Sequence, residues 1–198
     1  MAATIIGISG SLRKNSFNSA LLRVAAGMSS KDCRIEIVSI REIPLYDGDV
    51  ESVGFPPVVV ELKNRIAVAD GLLLATPEYN NSIPGVFKNA IDWLSRPASD
   101  IPRVFGDRPV AVMGATPGPG GTSLAQAAWL PVLRTLGTRP WFGGRLLISG
   151  ARNVFDEAGN IRDEETRKRL QTFIDGTRPL FCGVRIRKPG NPARPAGR

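Results

Sequence analysis

Hydrophobic and polar positions along this chain alternate between two patterns, short continuously apolar runs and longer segments with helical spacing. The apolar runs are Ala3 to Ser9 (ATIIGIS), Gly71 to Ala75 (GLLLA), Pro109 to Ala115 (PVAVMGA) and Arg145 to Ser149 (RLLIS). Runs of this length bounded by turn residues predict strands buried on both faces. Arg34 to Ser39 (RIEIVS) is also strand-like. Helical spacing begins near Ser19, recurs over Val58 to Val68, from Pro84 to Trp93 and over Ser123 to Leu136, and closes over Glu164 to Thr177, where Leu170, Phe173 and Ile174 recur on one face.

Five strands separated by helices predict an α/β fold with one doubly wound parallel sheet, because right-handed crossovers lay the helices on both faces. In the flavodoxin-like strand order 2-1-3-4-5, ligands bind where strands 1 and 3 diverge. Residues 1–183 are expected to form this single domain.

Three strand-end loops border that crevice. The first, Gly10-Ser11-Leu12-Arg13-Lys14-Asn15-Ser16-Phe17-Asn18, has the composition of a phosphate cradle. Gly10 permits a sharp turn, Ser11, Ser16 and Asn18 offer side-chain donors, Arg13 can pair with a dianion, and the helix behind points its amides forward. A capped helix start with a solvated Arg-Lys pair is the competing reading. The second runs from Thr76 through Pro77, Glu78, Tyr79 and Asn80 to Pro84. Its two prolines keep Thr76 and Ile83 out of the helical region, giving a stiff backbone that presents peptide groups to a planar ligand. The third, Ala115-Thr116-Pro117-Gly118-Pro119-Gly120-Gly121-Thr122, is a wall of glycine peptides against which a flat ring can lie, or else an ordinary turn into a capped helix. No G-x-x-x-x-G-K-S/T or G-x-G-x-x-G motif is present, so a single phosphate monoester fits better than a triphosphate or a dinucleotide.

The motifs G-S-L-R-x-x-S-x-N after the first strand and P-E-Y-N-x-S-x-P-G-x-x-K-N-A-I-D-W after the third resemble the NADPH-dependent FMN reductase family, in its quinone, chromate and azo-compound reductase branch. The resemblance runs from about Ile5 to Gly176. It implies that Ser11, Leu12, Arg13, Ser16, Phe17 and Asn18 hold the FMN phosphate, that Pro77, Glu78, Tyr79 and Asn80 border the flavin ring, and that Ala115, Thr116, Pro117, Gly118 and Gly120 contact its pyrimidine end. Relatives often carry serines where this chain has Ala115-Thr116-Pro117. The resemblance also implies a basic residue near the substrate pocket at Arg96, with Tyr79 beside it, and a loop over Ile43 to Phe55 that in relatives reaches a partner subunit's active site. The implied activity is ping-pong hydride transfer from NADPH or NADH to the flavin, then on to quinones, chromate, azo compounds or ferric chelates. A homodimer or homotetramer is expected; Trp129, Leu130, Trp141 and Phe142 either offer apolar surface for it or are buried within the monomer.

Composition narrows the chemistry. With no histidine in the chain, His-based acid-base catalysis and His-ligated metal are excluded. Cys33 and Cys182 form no C-x-x-C, so no metal site is expected, and both read as free thiols. The formal charge of +8 is concentrated at the end: residues 184–198 hold five basic residues and no acid, leaving +3 elsewhere. This Pro/Gly-rich tail is expected to be a disordered extension, and without aromatic interleaving it supports no specific nucleic-acid readout. No stretch approaches a transmembrane helix and no leader precedes the first strand, so a cytoplasmic protein is expected.

Two other functions fit parts of this pattern. A flavodoxin-type electron carrier would bind FMN without NAD(P)H reductase activity, but such carriers tend to be acidic and to cover the ring with aromatic side chains, whereas this loop offers only Tyr79. A phosphate-ester hydrolase would need a nucleophile such as cysteine in the first loop, and none is there.

Overall fold

The computed structural model describes residues 2–182, and the basic segment 184–198 lies outside the described residues. Three strands form the centre of the sheet: β1 (Ala3–Ser9), β3 (Gly71–Ala75) and β4 (Pro109–Ala115). They are parallel, and their continuous apolar runs are buried on both faces. β2 (Cys33–Val38) pairs with the other side of β1 and is buried only at its two ends, with exposed and half-buried positions between, as suits an edge strand. The order β2-β1-β3-β4 followed by a fifth position agrees with the flavodoxin-like reading.

Side chains that alternate across the sheet build two cores. On one face Ile5, Leu73, Ala111 and Met113 meet Leu21, Leu22 and Ala25 of α1 (Phe17–Gly27) and Leu170, Phe173 and Ile174 of α8 (Glu164–Cys182). On the other, Ile6, Ile8, Leu72, Leu74 and Val110 meet α3 (Pro57–Val68), α4 (Gly85–Leu94) and α6 (Ser123–Thr135) through residues such as Ile66, Phe87 and Trp129. The Phe87 and Trp129 rings meet edge to face at 4.8 Å, locking α4 against α6.

The fifth position departs from the expected continuous strand. Two short strands share it: β5 (Arg139–Pro140) pairs with Pro109 and Val110, and β6 (Leu146–Ile148) pairs with Met113 to Ala115. Pro140 has no N–H to extend the ladder, and the chain from Trp141 to Arg145 loops out between the two pieces. Val112, opposite the gap, is the one β4 residue that is not fully buried. Other boundaries also shift. α1 starts at Phe17 rather than near Ser19, because the Ser16 hydroxyl caps it by accepting from the Ser19 N–H at 3.2 Å. The Ile43–Phe55 segment contains a short helix, α2 (Gly48–Val53), capped by Asp47. α5 (Ile101–Val104) and α7 (Ala151–Val154) are single turns, and α8 continues past Thr177 to Cys182.

Candidate functional site

The carboxyl ends of β1, β3 and β4 lie side by side, and each opens into one of the three loops. Gly10 anchors the first by donating to the Ala75 carbonyl at 2.9 Å, and a Cβ at Gly10 would sit 2.2 Å from the Phe87 ring, so no larger residue fits. Beyond it, the backbone N–H groups of Leu12, Lys14, Asn15, Ser16 and Phe17 meet no acceptor among the described residues. They run into the N-terminus of α1, where the helix dipole adds positive potential. Arg13 and Lys14 are exposed beside this row, and neither engages a carboxylate among the described residues. A row of unengaged donors with an available guanidinium fits a phosphate monoester.

The second loop is a tight hairpin. Tyr79 and Ser82 exchange hydrogen bonds at 3.2 and 3.0 Å around Asn80 and Asn81, whose φ angles of 49° and 61° lie in the left-handed region that asparagine tolerates. Tyr79 stands at its rim, 46% exposed. In the third loop, Thr116 is tied down by donating to the Ile148 carbonyl at 2.9 Å and accepting from the Ala151 N–H at 3.0 Å. The N–H groups of Gly118, Gly120 and Gly121 engage no acceptor among the described residues and remain for a ligand. Gly121 has φ +62° and lies so close to Leu147 that a Cβ would approach it to 2.9 Å.

Four of the expected site residues are engaged in bonds within the chain. Asn18 is buried, and its amide donates to the Ala115 carbonyl at 2.8 Å while its carbonyl accepts the Ala115 N–H at 2.9 Å. The Asn18 side chain and the two Ala115 peptide groups therefore bond each other and brace the first loop against the third. Glu78 does not face a ring with its carboxylate, which accepts from the N–H groups of Leu124 and Ala125 at 2.8 and 2.9 Å and so caps α6. That helix has no side-chain cap of its own at Thr122. Arg96 is not brought to the loops within this chain. α4 carries it away from Pro84 over ten residues, about 15 Å of rise, and its guanidinium pairs with Glu51 at 2.9 Å. The Tyr46 hydroxyl donates to the same carboxylate at 2.8 Å. The Arg96 bond foremost, then the Tyr46 bond, holds the Glu51 carboxyl below its ordinary range, while the bond to Glu51 pushes the Tyr46 phenol up.

The structure places Ser11, Leu12, Arg13, Ser16 and Phe17 along the donor row, Pro77, Tyr79 and Asn80 in the hairpin, and Thr116, Pro117, Gly118 and Gly120 in the third loop, all at adjacent strand ends. One supporting residue is absent from the sequence reading: Arg41, just past β2, donates to the Leu12 carbonyl and props the first loop from behind. Only the pairing of β2 with β1 brings the two together.

A parallel sheet whose strand 1 ends in an anion cradle, flanked by two backbone-lined loops, defines a nucleotide-cofactor protein of the flavodoxin-like class. The sequence model of the NADPH-dependent FMN reductases matches residues 3–153, and the chain belongs to that family. A Pseudomonas aeruginosa protein named NAD(P)H-dependent FMN reductase is 44% identical over 167 residues, covering 84% of this chain and 89% of that one. A Burkholderia 2-hydroxy-1,4-benzoquinone reductase is 42% identical over 175 residues, 88% of this chain and 94% of its own. Among solved structures, the flavoenzyme NAD(P)H:(acceptor) oxidoreductase FerB from Paracoccus denitrificans superposes with a TM-score of 0.79 at 36% identity, covering 88% of this chain and 94% of that one.

Proposed function

We propose that this protein is an FMN-dependent NAD(P)H oxidoreductase acting on quinones. The observation that carries the reading is the row of unengaged N–H groups of Leu12, Lys14, Asn15, Ser16 and Phe17 with the Arg13 side chain at its edge, set beside two loops that offer backbone instead of bulky side chains. When bound, FMN supplies the hydride chemistry that couples nicotinamide oxidation to acceptor reduction. The chain supplies placement and electrostatics. Leu12 to Phe17 and Arg13 hold the phosphate; the Asn80-Asn81 hairpin and the glycines of the third loop flank the ring; the N–H groups of Gly118, Gly120 and Gly121 offer positive potential to charge accumulating there. Tyr79, exposed at the hairpin rim, lies where an acceptor approaches. The printed names of the relatives, FMN reductase and benzoquinone reductase, support this cofactor and acceptor class. An open site of this kind also admits chromate, azo compounds and ferric chelates.

The same reading includes a homodimer or homotetramer. Leu45 and Val53, 82% and 88% exposed, support it on the Ile43–Phe55 side, and Phe142, 74% exposed, at the broken fifth strand. A second subunit would give Arg96 a route to a neighbouring site. Residues 1–183 are read as one domain and the cytoplasm as the setting, where nicotinamide reductants are at hand. No helix of the described residues is long and apolar enough to cross a membrane.

Titration of the apoprotein with FMN tests the cradle. Arg13→Ala is expected to weaken binding by one to two orders of magnitude, the roughly 1.5 to 3 kcal/mol of a charge-assisted bond. Unchanged affinity would refute the assignment.

A further inference from the structure

The residues that the FMN reading assigns to the phosphate also open onto a further cleft, most of whose lining that reading leaves unused. A cleft of about 790 Å³ begins at Arg13 and Ser16 and continues between α1 and the connection from α7 to α8. This volume lies within the range of about 300–1,000 Å³ usual for small-molecule sites. Four arginines line it: Arg13 from the loop, Arg23 from α1, Arg152 from α7 and Arg162 from the strip before α8. None of them pairs with a carboxylate among the described residues. Two acids share the cleft, and one is already occupied: the Asp156 carboxylate accepts from the backbone N–H and side-chain amide of Asn160 at 2.7 and 3.1 Å. Phe17 and Phe155 stack at 5.7 Å along the same wall. Gly159, with φ +85°, lets the Arg23 guanidinium come close: a Cβ there would meet it at 2.8 Å.

Excess cationic charge beside the partly exposed Phe17 ring, which is backed by the buried Phe155, is chemistry that suits an adenine nucleotide, through its phosphates and its base. The position adds a constraint, because the cleft starts at the residues that cradle the FMN phosphate. Whatever is bonded to the outer side of that phosphate is directed into it.

We propose that this cleft is an adenosine-phosphate subsite adjoining the flavin phosphate. It rests on the FMN reading above and extends it. The adenosine phosphate has two sources, the AMP half of FAD, which would let the chain hold FAD in place of FMN, and the 2′-phosphorylated adenosine of NADPH.

The test uses the double variant Arg152→Gln, Arg162→Gln, whose side chains are exposed and outside the FMN cradle. The wild-type and variant apoproteins are titrated with FMN and with FAD, and the FMN-loaded proteins with adenosine 2′,5′-bisphosphate. FMN affinity is expected to stay within about twofold, which also reports that the variant is folded. A tenfold or larger loss for FAD assigns the subsite to the flavin's own AMP half; the same loss for the bisphosphate assigns it to the reductant. If neither ligand weakens, or if FMN weakens as much as FAD, the subsite does not exist. Failure of the wild-type protein to bind FMN at all would instead overturn the FMN reading itself.

Discussion

The Asn18 side chain makes both hydrogen bonds to the peptide groups of Ala115, 97 residues away, at 2.8 and 2.9 Å, and all of these groups are buried. One amide thereby fixes the start of α1 against the end of β4, so that the first and third loops are held at constant spacing. Asn18→Ala leaves a buried N–H and a buried C=O without partners, a loss of about 3 kcal/mol. Urea denaturation is expected to show that loss, with weakened FMN binding in the same variant. Unchanged stability would mean that water replaces the amide and that the brace is dispensable.

Glu78 acts across the crevice in the same manner, from the β3 loop onto the first turn of α6. Its carboxylate serves two N–H groups and complements the positive end of the helix dipole. Glu78→Ala is expected to remove about 1 to 2 kcal/mol of stability while turnover with FMN in excess changes less than threefold. A collapse of turnover at full stability would place the carboxylate in the chemistry instead.

The Asn18 and Glu78 bonds share a physical origin. Strand ends, the prolines of the second loop and the glycines of the third are local signals, and they located all three loops from the amino-acid order alone. The partners of Asn18 and Glu78 are 97 and 46 residues distant, so whether a polar side chain faces a ligand or another loop depends on tertiary placement. Arg96 was out of reach for a related reason: its direction follows from the length of α4, and its Glu51 partner sits in a segment with no strong periodicity. The break between β5 and β6 had visible markers in Pro140, Gly143 and Gly144, but only the register against β4 shows that they interrupt one strand position. The fold, whose strands are nearly all apolar, was the most legible part.

A buried cation makes one region acid-sensitive. Lys63 is only 5% exposed and places its ammonium 2.7 Å from Asp100 and 4.7 Å from the centre of the Phe55 ring. Arg103 foremost, then Lys63, holds the Asp100 carboxyl well below the usual carboxylate range. A depressed folded-state pKa contributes stability above the unfolded value of about 3.9 and loses it as pH falls below that. Asp100→Asn is expected to cost about 3 kcal/mol at pH 7, because it removes the carboxylate from the buried Lys63 ammonium and leaves it only the Arg96 carbonyl and the Phe55 ring. The variant should also show a shallower loss of stability than the wild type as pH falls below about 4. Parallel pH profiles for the two proteins would contradict this account.

The two thiols differ. Burial, and then contact with Cys182, pushes the Cys33 thiol up to about 12. Cys182 is partly exposed at the end of α8. A disulfide-exchange reagent at pH 8 is expected to titrate one thiol rapidly in the native protein and the second only on unfolding. Equal rapid reaction of both would show that the Cys33 site opens readily.

The most direct test of the central claim is an anaerobic visible spectrum of the FMN-loaded protein as NADPH or NADH is added, followed by a quinone. The account predicts loss of the oxidised-flavin absorbance on adding the nicotinamide and its return on adding the quinone. Tight FMN binding with no bleaching by either nicotinamide would contradict it and leave an electron carrier in place of a reductase.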